Sequence, residues 1–273
     1  PSAGVIPGAW IAAEEKHHSG KDLIAAIVAG YEVYQRIALA VQPSDLQWED
    51  RGWGPASWQI FTALIPACKL YGLDARRTNQ AIGMACESST LPTSFSVRTM
   101  SDFKHYEYGY RARDGFLIAK SVEKGIHNNM DGLDDPTCYT GTICGNGGNF
   151  SVVEDKNQAI EDAADLTWLT RNLGTEYLIL DTLLKPWPAD IWSQSSIELV
   201  RRLMAEHGIQ PDDVAEIVVD PMTADHMHVP ANGYASSVQA QFSLPYAIAA
   251  AVREPMPGAR WYSGAFMLDP EII

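Results

Sequence analysis

The sequence predicts a mainly α-helical protein, with a large all-helical domain over residues 1–180 and a smaller α+β domain over residues 181–273. Three observations lead to this prediction. Apolar residues recur at helical spacing through most of residues 21–124. The segment Lys185-Pro-Trp-Pro188 then forces an extended backbone, and beyond it two helical patterns flank the β-branched run Ala215-Glu-Ile-Val-Val219. This order of helix, strand and helix is typical of a small mixed domain beside a helical one.

The predicted helices are bounded by residues that start and stop helices. They run from Lys21 to Val41, Trp58 to Leu70, Asp74 to Cys86, Tyr106 to Lys124, Ser195 to His207 and Ser243 to Val252. Asp74 and Ser243 are predicted N-caps, and Gly72 and Gly208 fit the left-handed conformation that often ends a helix. The stretch from Asn128 to Asn149 is rich in Gly, Asn, Asp and Thr, and we predict a loop there.

Composition and charge narrow the class of function. The 273 residues are 46% hydrophobic and 20% charged, which indicates a globular protein with a substantial core. Thirty-four acidic residues against 20 basic ones give a net charge of −14, so most of the surface should repel nucleic acids and anionic membranes.

No uninterrupted apolar run reaches the roughly 20 residues that span a bilayer, and the first residues lack a signal-peptide pattern. Four scattered cysteines favour reduced thiols, so we expect a cytoplasmic protein.

An ordered set of short motifs runs through most of the chain. They are Pro1-Ser-Ala-Gly-Val-Ile-Pro7 with Gly30-Tyr-Glu32, Gly52-Trp-Gly-Pro-Ala56 leading to Leu70-Tyr-Gly-Leu-Asp74, Lys104 before a glycine-containing helix, Lys185-Pro-Trp-Pro-Ala-Asp190 with Trp192-Ser-Gln-Ser195, and Gln239-Ala-Gln-Phe-Ser-Leu-Pro-Tyr246. Together they resemble the MmgE/PrpD family, which includes 2-methylcitrate dehydratase, cis-aconitate decarboxylase and iminodisuccinate epimerase. The last motif is the most specific. The resemblance implies a large helical domain with a smaller α+β lid domain, and a homodimer built on the helical domain.

The sequence also departs from the family pattern. Family members are longer at both ends, so we expect that this sequence lacks the start of the helical domain and the end of the smaller one. The family usually has a His-Pro pair where this sequence begins at Pro1, and a second histidine where Gly54 stands here. Both departures leave the type of reaction open.

Dehydration of a β-hydroxy tricarboxylate, a reaction that the resemblance implies, requires three kinds of chemical group at the site. A base removes a proton beside a carboxylate, an acid helps hydroxide leave, and cations hold the carboxylates and the developing charge. The pairs His17-His18 and His226-Met-His228 lack a third metal ligand at useful spacing. We therefore expect neither a metal nor a cofactor, and the cations must come from Lys, Arg, His or helix N-termini.

Lys104 is the first catalytic candidate. From the residues alone it fits a solvated lysine beside a capping Asp102, whereas the resemblance implies a site residue that clamps a carboxylate or acts as a base. His105 is a candidate general acid or base, with a surface position as the alternative. Tyr108 and Arg111 add hydrogen-bond donors to the same segment, and we predict that Tyr108 binds the substrate.

Tyr246 is a further catalytic candidate. With Ser243 as N-cap it falls in the first turn of a helix, where the dipole favours negative charge and a phenol could protonate a leaving oxygen. The alternative is a packed core aromatic, and the resemblance favours the catalytic role.

The predicted substrate-binding residues are Trp53, Gly54, Ser88, Ser89, Tyr108 and Gln194, with a helix-ending turn as the alternative for the two serines. Arg98 is a carboxylate-clamp candidate without support from the resemblance.

The sequence thus predicts a metal-independent hydro-lyase. Its substrate would be 2-methylcitrate or a similar small anionic carboxylate, because Trp192-Ser-Gln-Ser195 resembles the dehydratase branch more than the decarboxylase branch. Decarboxylation of cis-aconitate and epimerisation of iminodisuccinate are the alternatives within the family. An interpretation of another class is an inactive paralogue that serves as a binding or assembly subunit, which Gly54 and the shorter ends favour.

Overall fold

The computed structural model describes residues 2–41, 53–89, 100–135, 137–144, 164–220, 230, 233–254 and 256–272. Its α-helices are α1 (Val5–Lys16), α2 (Gly20–Val41), α3 (Ile60–Leu70), α4 (Ala75–Ser89), α5 (Glu107–Glu123), α6 (Tyr139–Cys144), α7 (Gln194–His207), α8 (Ser237–Gln241), α9 (Leu244–Arg253) and α10 (Gly264–Met267). Short 3-10 turns connect several of them. The protein is therefore mainly helical, as the sequence predicts.

The helices predicted from periodicity are confirmed, and so are their caps. Asp74 accepts a hydrogen bond from the backbone N–H of Arg77 at 2.8 Å, and Ser243 accepts one from the N–H of Tyr246 at 3.3 Å. Gly72 and Gly208 adopt the left-handed conformation, with φ values of 67° and 66°. The loop predicted over residues 128–149 is wrong in part, because the short helix α6 lies within it.

Two compact units divide the chain. The first comprises Pro1–Arg98 and His105–Thr182, and the second comprises Thr99–Lys104 and Leu183–Ile273. The contacts of Lys104 thus group it with the second unit, although the sequence prediction placed it in the helical domain.

Helix α3 is the centre of the first unit. All of its residues except Lys69 are buried, and it contacts α1, α2, α4 and α5. A Cβ atom at Gly115 of α5 would stand 2.0 Å from the carbonyl oxygen of Ile60, and one at Gly8 of α1 would stand 2.7 Å from the Cα of Ala63. The two helices therefore cross α3 in backbone contact, which only glycine permits at these positions.

Helix α2 is long and apolar enough, by length and composition, to cross a membrane. Half of its most apolar stretch is buried inside the protein, however, and Glu32 and Arg36 occupy buried positions on it. It also contacts α1 and α3. These properties are typical of a core helix in a globular unit, and we describe α2 as one.

A buried ion pair on α2 holds a distant segment of the first unit. Arg36 and Glu32 lie one helical turn apart, pair at 2.6 Å, and are 3% and 6% exposed. Arg36 also donates to the carbonyl oxygens of Trp168 at 2.9 Å and Arg171 at 2.5 Å. Glu32 accepts a hydrogen bond from the backbone N–H of Leu178 at 2.8 Å. The pair therefore uses both of its charged groups to bind the backbone of one segment.

That segment, residues 164–182, is called the connector here because it precedes the second unit in sequence. Its 3-10 turns, Leu166–Leu169 and Leu178–Asp181, contain no buried residues. Two further hydrogen bonds attach it to α2, from the N–H of Asp165 to the carbonyl of Ala40 and from the Gln35 amide to the Thr182 hydroxyl. The connector therefore owes its position largely to polar bonds with α2 rather than to a core of its own.

The second unit packs α7 and α9 around an aromatic core. Trp261, Tyr246 and Ile197 are 1% exposed or less. The rings of Trp187 and Trp261 stack at an interplanar angle of 12°, and Tyr234 meets Tyr246 edge to face with the ring centroids 4.7 Å apart.

The predicted strand at residues 215–219 does not form. The described part of the chain contains no strand, only an isolated bridge between Leu173 and Glu176. A strand needs a neighbour to take up its backbone N–H and C=O groups, and among the described residues none pairs with this run. Val218 stays 78% exposed, so the α+β character predicted for the second unit is not confirmed.

We expect Arg36→Met to lower the free energy of unfolding by about 3–5 kcal/mol, because Glu32 is then left buried without its cation. Urea unfolding monitored by circular dichroism measures the loss. Arg113→Met is the matched control, since 58% of the Arg113 side chain is exposed and its pair with Asp114 should contribute at most about 1 kcal/mol. Equal losses in the two variants would contradict the anchoring role of Arg36.

Candidate active site

Lys104 is a buried cation in an acidic chain. It is 8% exposed and belongs to the 3-10 turn Asp102–His105, which its backbone N–H closes by donating to the carbonyl oxygen of Ser101 at 2.9 Å. Burying an ammonium group costs several kcal/mol unless anionic or hydrogen-bonding groups compensate for the lost water. This burial argues against a solvated lysine. The role of Lys104 as clamp or base stays a prediction.

The residues after Lys104 differ in their exposure. His105 is exposed, and Tyr106 beside it is 62% exposed. Tyr108 lies in the first turn of α5 and is partly buried. Burial raises the pKa of the Tyr108 phenol, and the charge of Glu107 adds to the effect, so the hydroxyl stays protonated at neutral pH. The Tyr108 phenol thus keeps its proton, whereas the His105 side chain is exposed.

Trp53 and Gly54 lead into the buried 3-10 turn Pro55–Trp58. Gly54 is extended, with φ −148° and ψ 176°, and its N–H donates to the Ser57 hydroxyl at 3.3 Å. Trp53 is 4% exposed, and its indole N–H has no hydrogen-bond partner among the described residues. The indole N–H groups of Trp187 and Trp261 are likewise without a partner among the described residues, so the substrate contact of Trp53 stays a prediction.

Ser88 and Ser89 end α4 but differ in their surroundings. The Ser88 hydroxyl is exposed and donates to the carbonyl of Met84 at 2.9 Å, within its own helix. Ser89 is fully buried, and its hydroxyl has no hydrogen-bond partner among the described residues. Of the two predicted substrate-binding serines, Ser89 is therefore the one whose hydroxyl is not already used by its helix.

Gln194 in the second unit holds a loop. Its side-chain oxygen accepts from the N–H of Trp187 at 3.0 Å, and its Nε2 lies 3.0–3.1 Å from the carbonyl oxygens of Trp187, Ala189 and Asp190. The ammonium group of Lys185 also donates to Ala189, at 3.2 Å. The Gln194 amide is thus fully engaged with its own chain, and binding a substrate carboxylate would require it to release this loop.

Tyr246 occupies the first turn of α9, as the sequence predicts, but its side chain lies in the core. It is 1% exposed, and its hydroxyl donates to the carbonyl oxygen of Trp261. Burial raises the pKa of this phenol, and neighbouring Tyr234 adds to the effect. The structure thus has the geometry of the packed-aromatic alternative, and the catalytic role stays a prediction.

Several remaining candidates lie outside the described residues, namely Arg98 and the histidines His226 and His228. Within the described ranges, no group of three or more His, Cys, Asp or Glu side chains is placed to hold a metal ion. His18 places its Nε2 atom 2.6 Å from the carbonyl oxygen of Leu70, to which a ring N–H can donate. The predicted site residues divide between the two units: Lys104, Gln194 and Tyr246 belong to the second, and the first contains Trp53, Gly54, Ser88, Ser89, His105 and Tyr108.

Two domain models of one protein family match the chain. The MmgE/PrpD N-terminal domain matches residues 1–147, and the MmgE/PrpD C-terminal domain matches residues 187–273. The chain belongs to the MmgE/PrpD family.

Two curated relatives of this MmgE/PrpD protein are both from Aspergillus. One is a cis-aconitate decarboxylase-like protein, oryM, from Aspergillus oryzae, 29% identical over 186 residues that cover 63% of this chain and 36% of the relative. The other is a cis-aconitate decarboxylase from Aspergillus terreus, 24% identical over 263 residues that cover 91% of this chain and 51% of the relative. The chain thus spans about half the length of these relatives or less.

Two buried polar residues of this MmgE/PrpD protein, Tyr34 and Gln59, were not predicted from its sequence. Tyr34 and Gln59 are almost fully buried and hydrogen-bonded to each other. Tyr34 fits the helical spacing of the apolar residues in residues 21–41, so periodicity alone does not reveal the hydrogen bond of its hydroxyl group. A glutamine directly before the apolar run of α3 was the available signal, because a buried amide needs a polar partner.

Tyr246→Phe and Tyr262→Phe provide a matched test of the second core, because both phenols donate to backbone carbonyls, of Trp261 and Pro188 respectively. We expect each variant to lose about 0.5–1.5 kcal/mol of unfolding free energy, the net contribution of one such hydrogen bond. Chemical denaturation measures both. If Tyr246 is also catalytic, turnover falls in Tyr246→Phe alone, whereas equal activity in the two variants would leave Tyr246 a structural residue.

Proposed function

We propose that this protein is a lyase that acts on a small tricarboxylate. The burial of Lys104 carries the proposal, because in a chain with a net charge of −14 a site for an anion needs positive charge concentrated locally. Membership of the MmgE/PrpD family and the similarity to cis-aconitate decarboxylases support it. Charge-assisted hydrogen bonds from Lys104 to a carboxylate would be stronger than neutral ones.

Dehydration of 2-methylcitrate is the first candidate reaction. A base takes a proton from the carbon beside a carboxylate, its C–H electrons form the double bond, and the C–O bond breaks as an acid protonates the departing hydroxide. Lys104 would hold the carboxylate on which charge develops, and Tyr108 would donate a hydrogen bond to the substrate. His105, which is exposed, would exchange the abstracted proton with solvent. For Tyr246 to act as the acid, its hydroxyl would have to exchange the Trp261 carbonyl for the leaving oxygen.

Decarboxylation of cis-aconitate is the second candidate, and the names of the two relatives favour it. Here a C–C bond breaks, carbon dioxide leaves, and an acid protonates the carbon that retains the electron pair. This reaction needs an acid but no base at the substrate carbon, and it would suit a site in which Gly54 stands where the family usually has a histidine.

Assay of the full-length protein with 2-methylcitrate, citrate and cis-aconitate separates these reactions. We expect turnover of a tricarboxylate that a metal chelator does not reduce; water loss without carbon dioxide identifies the dehydratase, and carbon dioxide release identifies the decarboxylase. Product analysis by chromatography and trapping of carbon dioxide provide the readout. No turnover of any of the three would contradict the proposal and favour a binding or assembly subunit.

Lys104→Met should lower kcat/KM for the active substrate by about 100-fold or more, because the carboxylate would then be bound without its cation. Lys124→Met is the matched control, since 74% of the Lys124 side chain is exposed beside Glu123. Unfolding curves of both variants establish that the fold is retained. A folded Lys104→Met variant with a kcat/KM within about threefold of wild type would remove Lys104 from the site.

A further inference from the structure

A buried hydrogen-bond network fixes the turn that follows Trp53 and Gly54. Tyr34 of α2 is 2% exposed, and its hydroxyl accepts a hydrogen bond from the Gln59 amide at 3.0 Å. The Trp58 side chain, whose indole can only donate, forms a second hydrogen bond with the same hydroxyl. The Gln59 amide nitrogen also lies 3.3 Å from the carbonyl oxygen of Pro55. One phenol oxygen therefore connects both ends of the turn Pro55–Trp58 to helix α2.

The turn Pro55–Trp58 also holds the two residues before it, Trp53 and Gly54. Gly54 donates its backbone N–H to the Ser57 hydroxyl at 3.3 Å, and Ser57 is fully buried within the turn. Trp53 precedes Gly54 directly and is itself buried. The backbone of Trp53 and Gly54 thus cannot shift without a shift of the turn, and the turn is bound to α2 through Tyr34.

Tyr34 also lies near a third predicted substrate-binding residue. Burial is the main cause that raises the pKa of the Tyr34 phenol, and an electrostatic interaction with the Tyr108 phenol contributes in the same direction. Such an electrostatic contribution requires the two phenols to be close in the protein interior. Tyr34 of α2 is therefore near Tyr108 of α5 as well as hydrogen-bonded to the turn that follows Trp53 and Gly54.

We propose that Tyr34 is a positioning residue for the tricarboxylate site, acting through Gln59 and Trp58 on the backbone of Trp53 and Gly54. This inference rests on the proposed function. Tyr34 does not touch the substrate in this account. Loss of its hydroxyl loosens the turn that presents Trp53 and Gly54, so substrate binding weakens while the chemical step, which depends on other residues, changes little.

Tyr34→Phe tests the inference, because it removes the oxygen and keeps the ring. We expect KM for the active tricarboxylate to rise roughly fivefold to thirtyfold, with kcat changed by less than about twofold. Tyr139→Phe is the matched control. Tyr139 is fully buried in the same core, meets Phe61 edge to face with ring centroids 5.3 Å apart, and its hydroxyl has no hydrogen-bond partner among the described residues. KM of this control should equal that of wild type.

Gln59→Met removes the amide donor from the other side of the network and serves as the second variant. It should reproduce the rise in KM, and the double variant with Tyr34→Phe should show less than the product of the two separate effects, because both act through one network. An active wild type with an unchanged KM in both single variants would overturn the inference while leaving the proposed function intact. An inactive wild type would overturn the proposed function, and this inference with it.

Discussion

The buried ion pair between Glu32 and Arg36 is the interaction on which the first unit most depends. Its two charges lie on the buried side of a helix whose other buried residues are apolar or glycine, except for the Tyr34 hydroxyl. Buried charges are tolerated only when their hydrogen-bonding capacity is filled, and here the connector supplies backbone groups that fill it. Helix α2 therefore has two roles. Its apolar residues build the core with α1 and α3, and its buried ion pair binds the connector.

Side chains also hold a loop of the second unit by hydrogen bonds to its backbone. The loop over residues 187–190 has its carbonyl oxygens taken up by side chains from outside it, the amide of Gln194, the ammonium of Lys185 and the hydroxyl of Tyr262. The carbonyl groups of this loop belong to no helix or sheet of their own. They need such side chains because buried carbonyl groups must be hydrogen-bonded. Lys185 and Gln194 can therefore be important to the fold whether or not they contact a substrate.

The local features of the fold were predictable from sequence because they depend on residues close in the chain. Periodicity located α2, α7 and α9, and Asp74 and Ser243 were identified as N-caps. The strand at residues 215–219 was not predictable from its β-branched residues, because a strand depends on a partner elsewhere in the chain. The same limit applies to the site. The sequence predicted Lys104 and Tyr246 as candidates. It did not reveal the burial of Lys104, the hydrogen bond from Tyr246 to Trp261 or the one between Tyr34 and Gln59, because these depend on residues distant in the chain.

The central claim is that a desolvated cation gives an acidic protein a site for a tricarboxylate. Calorimetric titration of the wild-type protein with tricarballylate, which has neither the hydroxyl group lost in dehydration nor the double bond of cis-aconitate, tests this claim without turnover. Its uncharged triamide is the matched ligand. The account predicts that the acid binds, that its affinity falls as salt is added, and that the triamide does not bind measurably. Equal affinity for the acid and the triamide, or no binding of either, would contradict it.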